Sequence, residues 1–264
     1  MNRIRKALEQ NGGRTLLGAA LYFYDPIFLD ICMHLGYQSV WIEMEHAPIS
    51  FAQAADLCRM ATGSGMLTMI RIPDTRRENV LKACECAPDI LDVPMIESVE
   101  QVRELRQYAR FLPLGERGYF SVSRAVNYGI VSSVPGEQQK LNDELCLLAQ
   151  IESSKALERV EELAAEPDVD LFIGPADLAA SLGHPGQTGH AEVRAACQRI
   201  VKTARANHKL VATACAQSDY EFFLDLGVDL LYLTNDIASL RAAASQSISA
   251  ARQLMESQVI GAAR

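Results

Sequence analysis

Short apolar or β-branched runs alternate along this chain with amphipathic stretches of helical period. Eight such runs predict buried strands: Thr15–Leu21, Ser39–Met44, Leu67–Ile72, Ile90–Ile96, Leu145–Ile151, Asp170–Ile173, Lys209–Thr213 and Asp229–Leu233. Between them, Ser98–Tyr108 opens on a serine cap with an acidic residue in its first turn. Ser153–Glu166 reads as one helix, with Ala156, Leu157, Val160 and Leu163 on a single stripe. Ala191–His208 and Ser218–Leu226 follow the same pattern. The first residues, Met1–Gln10, carry charges on every turn and predict a short amphipathic helix within residues 1–14. Residues 237–264 form an Ala-rich helical run longer than one covering helix needs, with Leu240, Ala243, Ile248 and Leu254 available for a neighbour.

Strands that are apolar almost throughout, each followed by a helix, are what a parallel sheet buried on both faces requires. Eight βα units in about 250 residues predict an α/β fold, the (β/α)8 TIM barrel, as a single domain over 1–264 with an extra C-terminal helix. A doubly wound open sheet is the alternative, but no Gly-x-Gly-x-x-Gly loop follows the first strand. One long irregular stretch, Phe111–Asn142, is rich in Gly, Pro and Ser, and a connection this long in a compact domain is usually functional or mobile.

Composition narrows the function. The net charge is −8 with a pI near 5.2, a poor match to a phosphate backbone or an anionic membrane, so nucleic-acid and membrane partners are not expected. No window reaches the 18 or so uninterrupted apolar residues of a membrane span, and the charged first turns do not read as a signal peptide. The seven cysteines, an odd number mostly inside apolar runs, predict buried thiols in a reducing cytoplasm. Cys84-Glu-Cys86 has no second Cys or His pair at zinc spacing.

In such a barrel the chemistry gathers at the carboxyl ends of the strands. Four of these ends carry polar sets: Glu43-Met-Glu45-His46 after the second strand, Arg71 in the third, Gln150-Ile-Glu152-Ser153 after the fifth and Gly174-Pro-Ala-Asp177 after the sixth. Ionisable groups inside apolar runs are costly to bury unless they are paired or bind a metal. Glu152 and Asp177, two carboxylates from adjacent strand ends, suit a hard octahedral cation such as Mg²⁺ or Mn²⁺. Arg71 cannot shed its charge and needs a carboxylate, a phosphate or a developing oxyanion. His46 is the natural general base. His184 and His190 flank a Gly-rich turn beyond Asp177 and are placed near the mouth, and His34 and His208 read as helix-end residues.

Glu45-His-Ala-Pro48, Arg71-Ile-Pro73, Val93-Pro-Met95, Gln150-Ile-Glu152 and Gly174-Pro-Ala-Asp-Leu-Ala-Ala-Ser-Leu-Gly183 together resemble the metal-dependent class II pyruvate aldolases of the HpcH/HpaI family, including 4-hydroxy-2-oxo-heptane-1,7-dioate aldolase. The resemblance runs from about residue 15 to 240. It implies Glu152 and Asp177 as ligands of a divalent metal (Mg²⁺ or Mn²⁺, with Co²⁺ also admitted) and Gln150 as a substrate contact. It implies the Ala176 N–H as the receiver of the pyruvate carboxylate, Arg71 as the enolate-stabilising arginine and His46 as the base. Glu85 falls where the family carries an acidic residue that acts on the histidine across a subunit boundary. A homo-oligomer, trimer or hexamer, with a shared C-terminal helix is implied as well. Glu43 and Glu85 stand where the family often has Asp, so a dyad with His46 would need a shifted imidazole or backbone. Gly115–Tyr119, Arg124 and Tyr128 resemble a substrate-side loop and are expected to line the mouth.

The implied activity is reversible aldol cleavage of a 4-hydroxy-2-oxo acid to pyruvate, or an analogue, and an aldehyde, through a metal-stabilised enolate. Lys82, Lys140, Lys155, Lys202 and Lys209 all read as helix or loop positions, which disfavours a Schiff-base mechanism. Two alternatives remain: a citrate-lyase β-type thioester lyase on the same barrel, which would need a basic groove for CoA phosphates, and a non-catalytic oligomeric scaffold.

Overall fold

A computed structural model describes residues 2–262, with side chains through Met255. Helix α1 (Arg3–Gln10) precedes β1 (Leu16–Leu21), α2 (Pro26–His34), β2 (Ser39–Glu43), α3 (Phe51–Gly63) and β3 (Leu67–Arg71). Then follow α4 (Arg77–Glu85), β4 (Ile90–Val93), α5 (Val99–Ala109), α6 (Val134–Glu144) and β5 (Cys146–Ile151). The second half comprises α7 (Ser154–Glu158), α8 (Val160–Ala165), β6 (Asp170–Ile173), α9 (Pro175–Ser181), α10 (Ala191–Ala206), β7 (Val211–Ala214), α11 (Tyr220–Asp225), β8 (Leu230–Asn235) and α12 (Asp236–Ala262). The strands close in order, β1 to β8, into a parallel barrel, the expected (β/α)8 fold. Among the described residues no helix is long and apolar enough to cross a membrane.

The strands are apolar on both faces because alternate side chains enter two separate cores. Ala19, Leu21, Val40, Ile42, Leu91 and Val93 point outward under the helices. Leu16, Ala20, Trp41, Met69, Ile90, Leu148, Phe172 and Tyr232 fill the barrel interior. Trp41 is the hub of that interior, 5.5 Å from both the Phe172 and Tyr232 ring centroids in edge-on contacts. Gly18 makes room for this cluster, since a Cβ there would lie 2.5 Å from the Tyr232 ring. Tyr232 is also tied by its hydroxyl to Ser39 Oγ at 2.9 Å and cannot swing away freely. Gly18→Ala is therefore expected to cost about 1–3 kcal/mol, read as a lower urea midpoint. An unchanged midpoint would mean that the ring can slide aside.

Helix α1 closes the amino end of the barrel. Ile4 enters the interior core, while Arg3 bonds Asp89 and Glu144 and Arg5 bonds Asp170. The Ser98 cap is formed, with Gln101 completing a capping box. The single helix predicted over Ser153–Glu166 is instead two, α7 and α8, broken at Arg159. The fourth strand ends at Val93, because Pro94 follows and Met95 turns into positive φ. Within the irregular stretch the structure adds α6 and a short 3-10 turn at Arg124–Gly129. The last helix is as long as expected, and every residue from Leu240 to Met255 is exposed. Met1 and residues 263–264 lie outside the described residues.

All seven cysteines are free, six buried and Cys215 half-buried. Burial pushes the Cys86 thiol up to about 12 and raises Cys84 as well, so neither offers the thiolate a metal needs.

Candidate active site

The carboxyl ends of the strands open into a cavity of 740 Å³. His46, Arg71, Gln150, Ala176 and Asp177 all line it, although they come from four different strand ends. Glu152 is buried just behind them, its Oε2 accepting from Gln150 Nε2 at 2.5 Å and its Oε1 accepting from the Met95 N–H at 2.7 Å. Lys82, Lys140, Lys155, Lys202 and Lys209 are all absent from this lining.

The register explains how Arg71 is held. Glu43 pairs with Arg71 across β2–β3, and Arg71 with Asp92 across β3–β4, so three ionisable residues occupy neighbouring positions. Arg71 Nε donates to Glu43 Oε2 at 2.6 Å, Nη1 lies 3.1 Å from Glu45 Oε2, and the guanidinium stacks 4.6 Å from the Trp41 ring centroid. Burial alone would lower the Arg71 pKa, and Glu43, Asp92 and Glu45 more than offset it, so the guanidinium stays charged. The other oxygen of Glu43 accepts the backbone N–H groups of Glu45 at 2.7 Å and His46 at 2.9 Å. The extra methylene of Glu43 is thus spent on the turn after β2 and on Arg71. No Glu43–His46 dyad forms within the chain. The exposed imidazole instead lies 3.5 Å from Glu45 Oε2.

Carboxylates crowd this floor. Burial pushes the Glu152 carboxyl up to about 7, with the Met95 N–H opposing and Asp177 adding repulsion. Glu45 is raised chiefly by burial, against the pull of Arg71 and His46. Asp92 is raised well above the usual carboxylate range, again chiefly by burial, and neither of its oxygens has a hydrogen-bond partner. Gly174 is required here, because a Cβ at that position would fall on the Glu152 carboxylate and the Gln150 amide. It precedes α9, which starts on Pro175 and has no side-chain cap.

Several predicted residues are elsewhere. Glu85 does not line the cavity. It lies at the end of α4, bonded to Arg117 at 2.9 Å. The loop expected at the mouth turns away from it: Arg117 stacks on Phe111, 4.4 Å from the ring centroid, and Arg124 donates to the Cys86 carbonyl at 2.8 Å. Arg124 and Tyr128 border a separate cavity beside Ala87 and Asp89. His184 and His190 also lie off the cavity, their rings stacked at 3.6 Å, with Glu192 at 2.8 Å from His184. Among the described residues these three are the one group of three His, Cys, Asp or Glu donors within 4.8 Å of one another.

Two features were not anticipated from the sequence. Asp92 is an ionisable residue inside an apolar run, the same signal that singled out Arg71. The far wall of the cavity, built from β7, β8 and the start of α12, mixes alanines, Thr234 and Ser239 with larger uncharged residues such as Tyr232 and Leu233, none of which gives such a signal.

Residues 21–243 match the sequence profile of the HpcH/HpaI aldolase/citrate lyase family. The chain is 34% identical over 251 residues to a hydroxypyruvate/pyruvate aldolase of Deinococcus radiodurans, covering 91% of this chain and 89% of that protein. It is 31% identical over 245 residues to a 2-keto-3-deoxy-L-rhamnonate aldolase of Escherichia coli K12, covering 89% and 90%. An HpcH/HpaI aldolase of known structure from Desulfitobacterium hafniense superposes with a TM-score of 0.87 at 26% identity, over 96% of this chain and 97% of that one. The matched segment runs from the last residue of β1 to beyond β8 and takes in each predicted site residue, and the chain belongs to the HpcH/HpaI aldolase/citrate lyase family.

Proposed function

We propose that this protein is a divalent-metal-dependent aldolase that cleaves a 4-hydroxy-2-oxo acid reversibly to pyruvate, or hydroxypyruvate, and an aldehyde. The observation that carries this reading is the meeting of Arg71, Gln150, Ala176 and Asp177 on one cavity, with Glu152 buried behind them. The donors fit a hard cation. Glu152 is a buried carboxylate whose ionisation is opposed by burial and by Asp177, and a positive ion between the two would relieve both. Glu152 and Asp177 would hold Mg²⁺, Mn²⁺ or Co²⁺, which supplies Lewis-acid polarisation of the 2-oxo group.

The chain's own groups do the rest. Arg71, pinned by Glu43 and Glu45, presents a fixed positive charge where the enolate oxygen develops. The Ala176 N–H receives the substrate carboxylate and the Gln150 amide orients it. His46 accepts the C4 hydroxyl proton; the C3–C4 bond breaks, its electron pair enters the enolate, and the aldehyde leaves. A proton then adds to C3 to give the pyruvate methyl group. Glu85 is assigned to the partner subunit's His46, which the homo-oligomer (trimer or hexamer) would bring near, with α12 as the shared element. Free buried thiols favour a cytoplasmic setting, and the chain is read as one domain.

Deuterium exchange into the pyruvate methyl group, followed by NMR in D₂O, tests this without knowledge of the aldehyde. Exchange is expected with Mg²⁺ or Mn²⁺ and is expected to stop on adding EDTA. A folded protein that binds either metal and exchanges nothing would overturn the reading.

A further inference from the structure

We propose that His184, His190 and Glu192 form a second cation site, outside the barrel cavity, for a borderline divalent ion such as Zn²⁺. The segment after α9 and the first turn of α10 gather these three donors. His184 Nε2 lies 2.8 Å from Glu192 Oε2, and the His190 ring lies 3.6 Å from that of His184. One ligand atom from each residue falls within 4.8 Å of the others. Two imidazoles and a carboxylate, with water in the fourth position, make a tetrahedral set suited to zinc. The all-oxygen pair Glu152 and Asp177 suits a hard ion instead, so the two sites would select different metals.

The segment is folded so as to bring these groups together. Gly183 and Gly186 take positive φ, and the chain doubles back until residues six positions apart stack. The His184 N–H donates to the Ala179 carbonyl at 2.8 Å, and the His190 N–H to that of Gln187 at 3.0 Å. Thr188 Oγ1 donates to Asp219 Oδ2 at 2.7 Å, and Arg194 Nη2 on α10 donates to Asp219 Oδ1 at 3.2 Å. Asp219 is buried, so the segment is anchored between the two histidines and again just beyond them.

The hydrogen bonds also say which nitrogens are available. His190 caps α10, its Nδ1 accepting the Glu192 N–H at 3.3 Å. A neutral imidazole that accepts at Nδ1 carries its proton on Nε2, which leaves on Nδ1 the lone pair a cation would take. His184 would keep its proton on Nδ1 and offer Nε2, whose present partner is the carboxylate that would share the ion. The two rings are only 22° apart in tilt, so His190 must turn about its Cβ–Cγ bond for both nitrogens to meet one ion. Its long bond to the Glu192 N–H is a weak restraint on that turn.

The test is calorimetric titration of Zn²⁺ into the folded Asp177→Asn variant, in which Glu152 and Asp177 no longer compete as a pair. One ion per chain is expected, with a melting temperature that rises with Zn²⁺ concentration. In the same background, His184→Ala or Glu192→Gln should weaken binding at least about tenfold, since losing even the outer partners of a metal ligand costs about 10–100-fold. His190→Asn keeps an oxygen to cap α10, which separates loss of the imidazole from loss of the helix start, and it should weaken binding equally. Circular dichroism checks that each variant is folded. No Zn²⁺ binding in Asp177→Asn, or binding that none of the three substitutions weakens, would overturn the site. Each readout is metal binding, so the result stands whatever reaction the barrel cavity performs.

Discussion

Replacing Glu152 by Gln, or Asp177 by Asn, should abolish metal-dependent deuterium exchange into pyruvate, with a loss of about a thousandfold or more. A Lewis acid at the oxo group contributes several kcal/mol to the developing charge, and about 1.4 kcal/mol corresponds to a factor of ten. Calorimetric titration with Mn²⁺ should show the lost binding directly. Stability should move differently from activity. Glu152 is a buried carboxylate whose ionisation burial opposes, so metal-free Glu152→Gln is expected to melt no earlier than metal-free wild type. Wild-type exchange in either folded variant would remove the pair from the chemistry.

Arg71→Met should cost both activity and stability. Loss of one fixed donor to a developing oxyanion lowers rates by about 10²–10³-fold, and that is the expected fall in exchange. The fold suffers because Glu43 is fully buried and its Oε2 would lose the Arg71 Nε donor. Breaking one side of a buried ion pair costs about 3–5 kcal/mol, visible in denaturant unfolding. Arg71→Lys should rescue little. One ammonium cannot meet Glu43 and Glu45 while also covering the Trp41 face. A folded Arg71→Met variant with wild-type exchange would show that the guanidinium is structural only.

Much of this was legible in the chain because burial imposes rules that composition obeys locally. A strand covered on both faces is apolar at most positions, and so all eight strands could be read with no end shifted by more than three residues. The same rule exposed Arg71, Glu152 and Asp177, since a charge at the end of an apolar run needs a reason. Asp92 was equally exposed to that logic but stood in the middle of Ile90–Ile96, where the run did not appear to end. The true strand stops at Val93, which puts Asp92 one residue from its end. Partner choice was not legible. Which carboxylate takes the Arg71 Nε, or that Arg117 folds back 32 positions to hold Glu85, depends on loop paths that no local pattern encodes. The neutral wall was silent for the opposite reason, because alanine, serine and threonine at strand ends resemble ordinary connections.

The order in which the strands close sets a constraint on how the chain is made. β1 joins β8 through Leu16 and Leu230, more than two hundred positions apart, while the other seven pairings join consecutive strands. During synthesis β1 therefore emerges early and keeps one edge of backbone N–H and C=O groups unpaired until residues beyond 230 have left the ribosome. Open strand edges recruit other strands, and pairing of such long range is slow to form. The half-made barrel is the species expected to aggregate. Variants that slow the final zippering of β8 should deplete yield in the cell before they alter the finished enzyme.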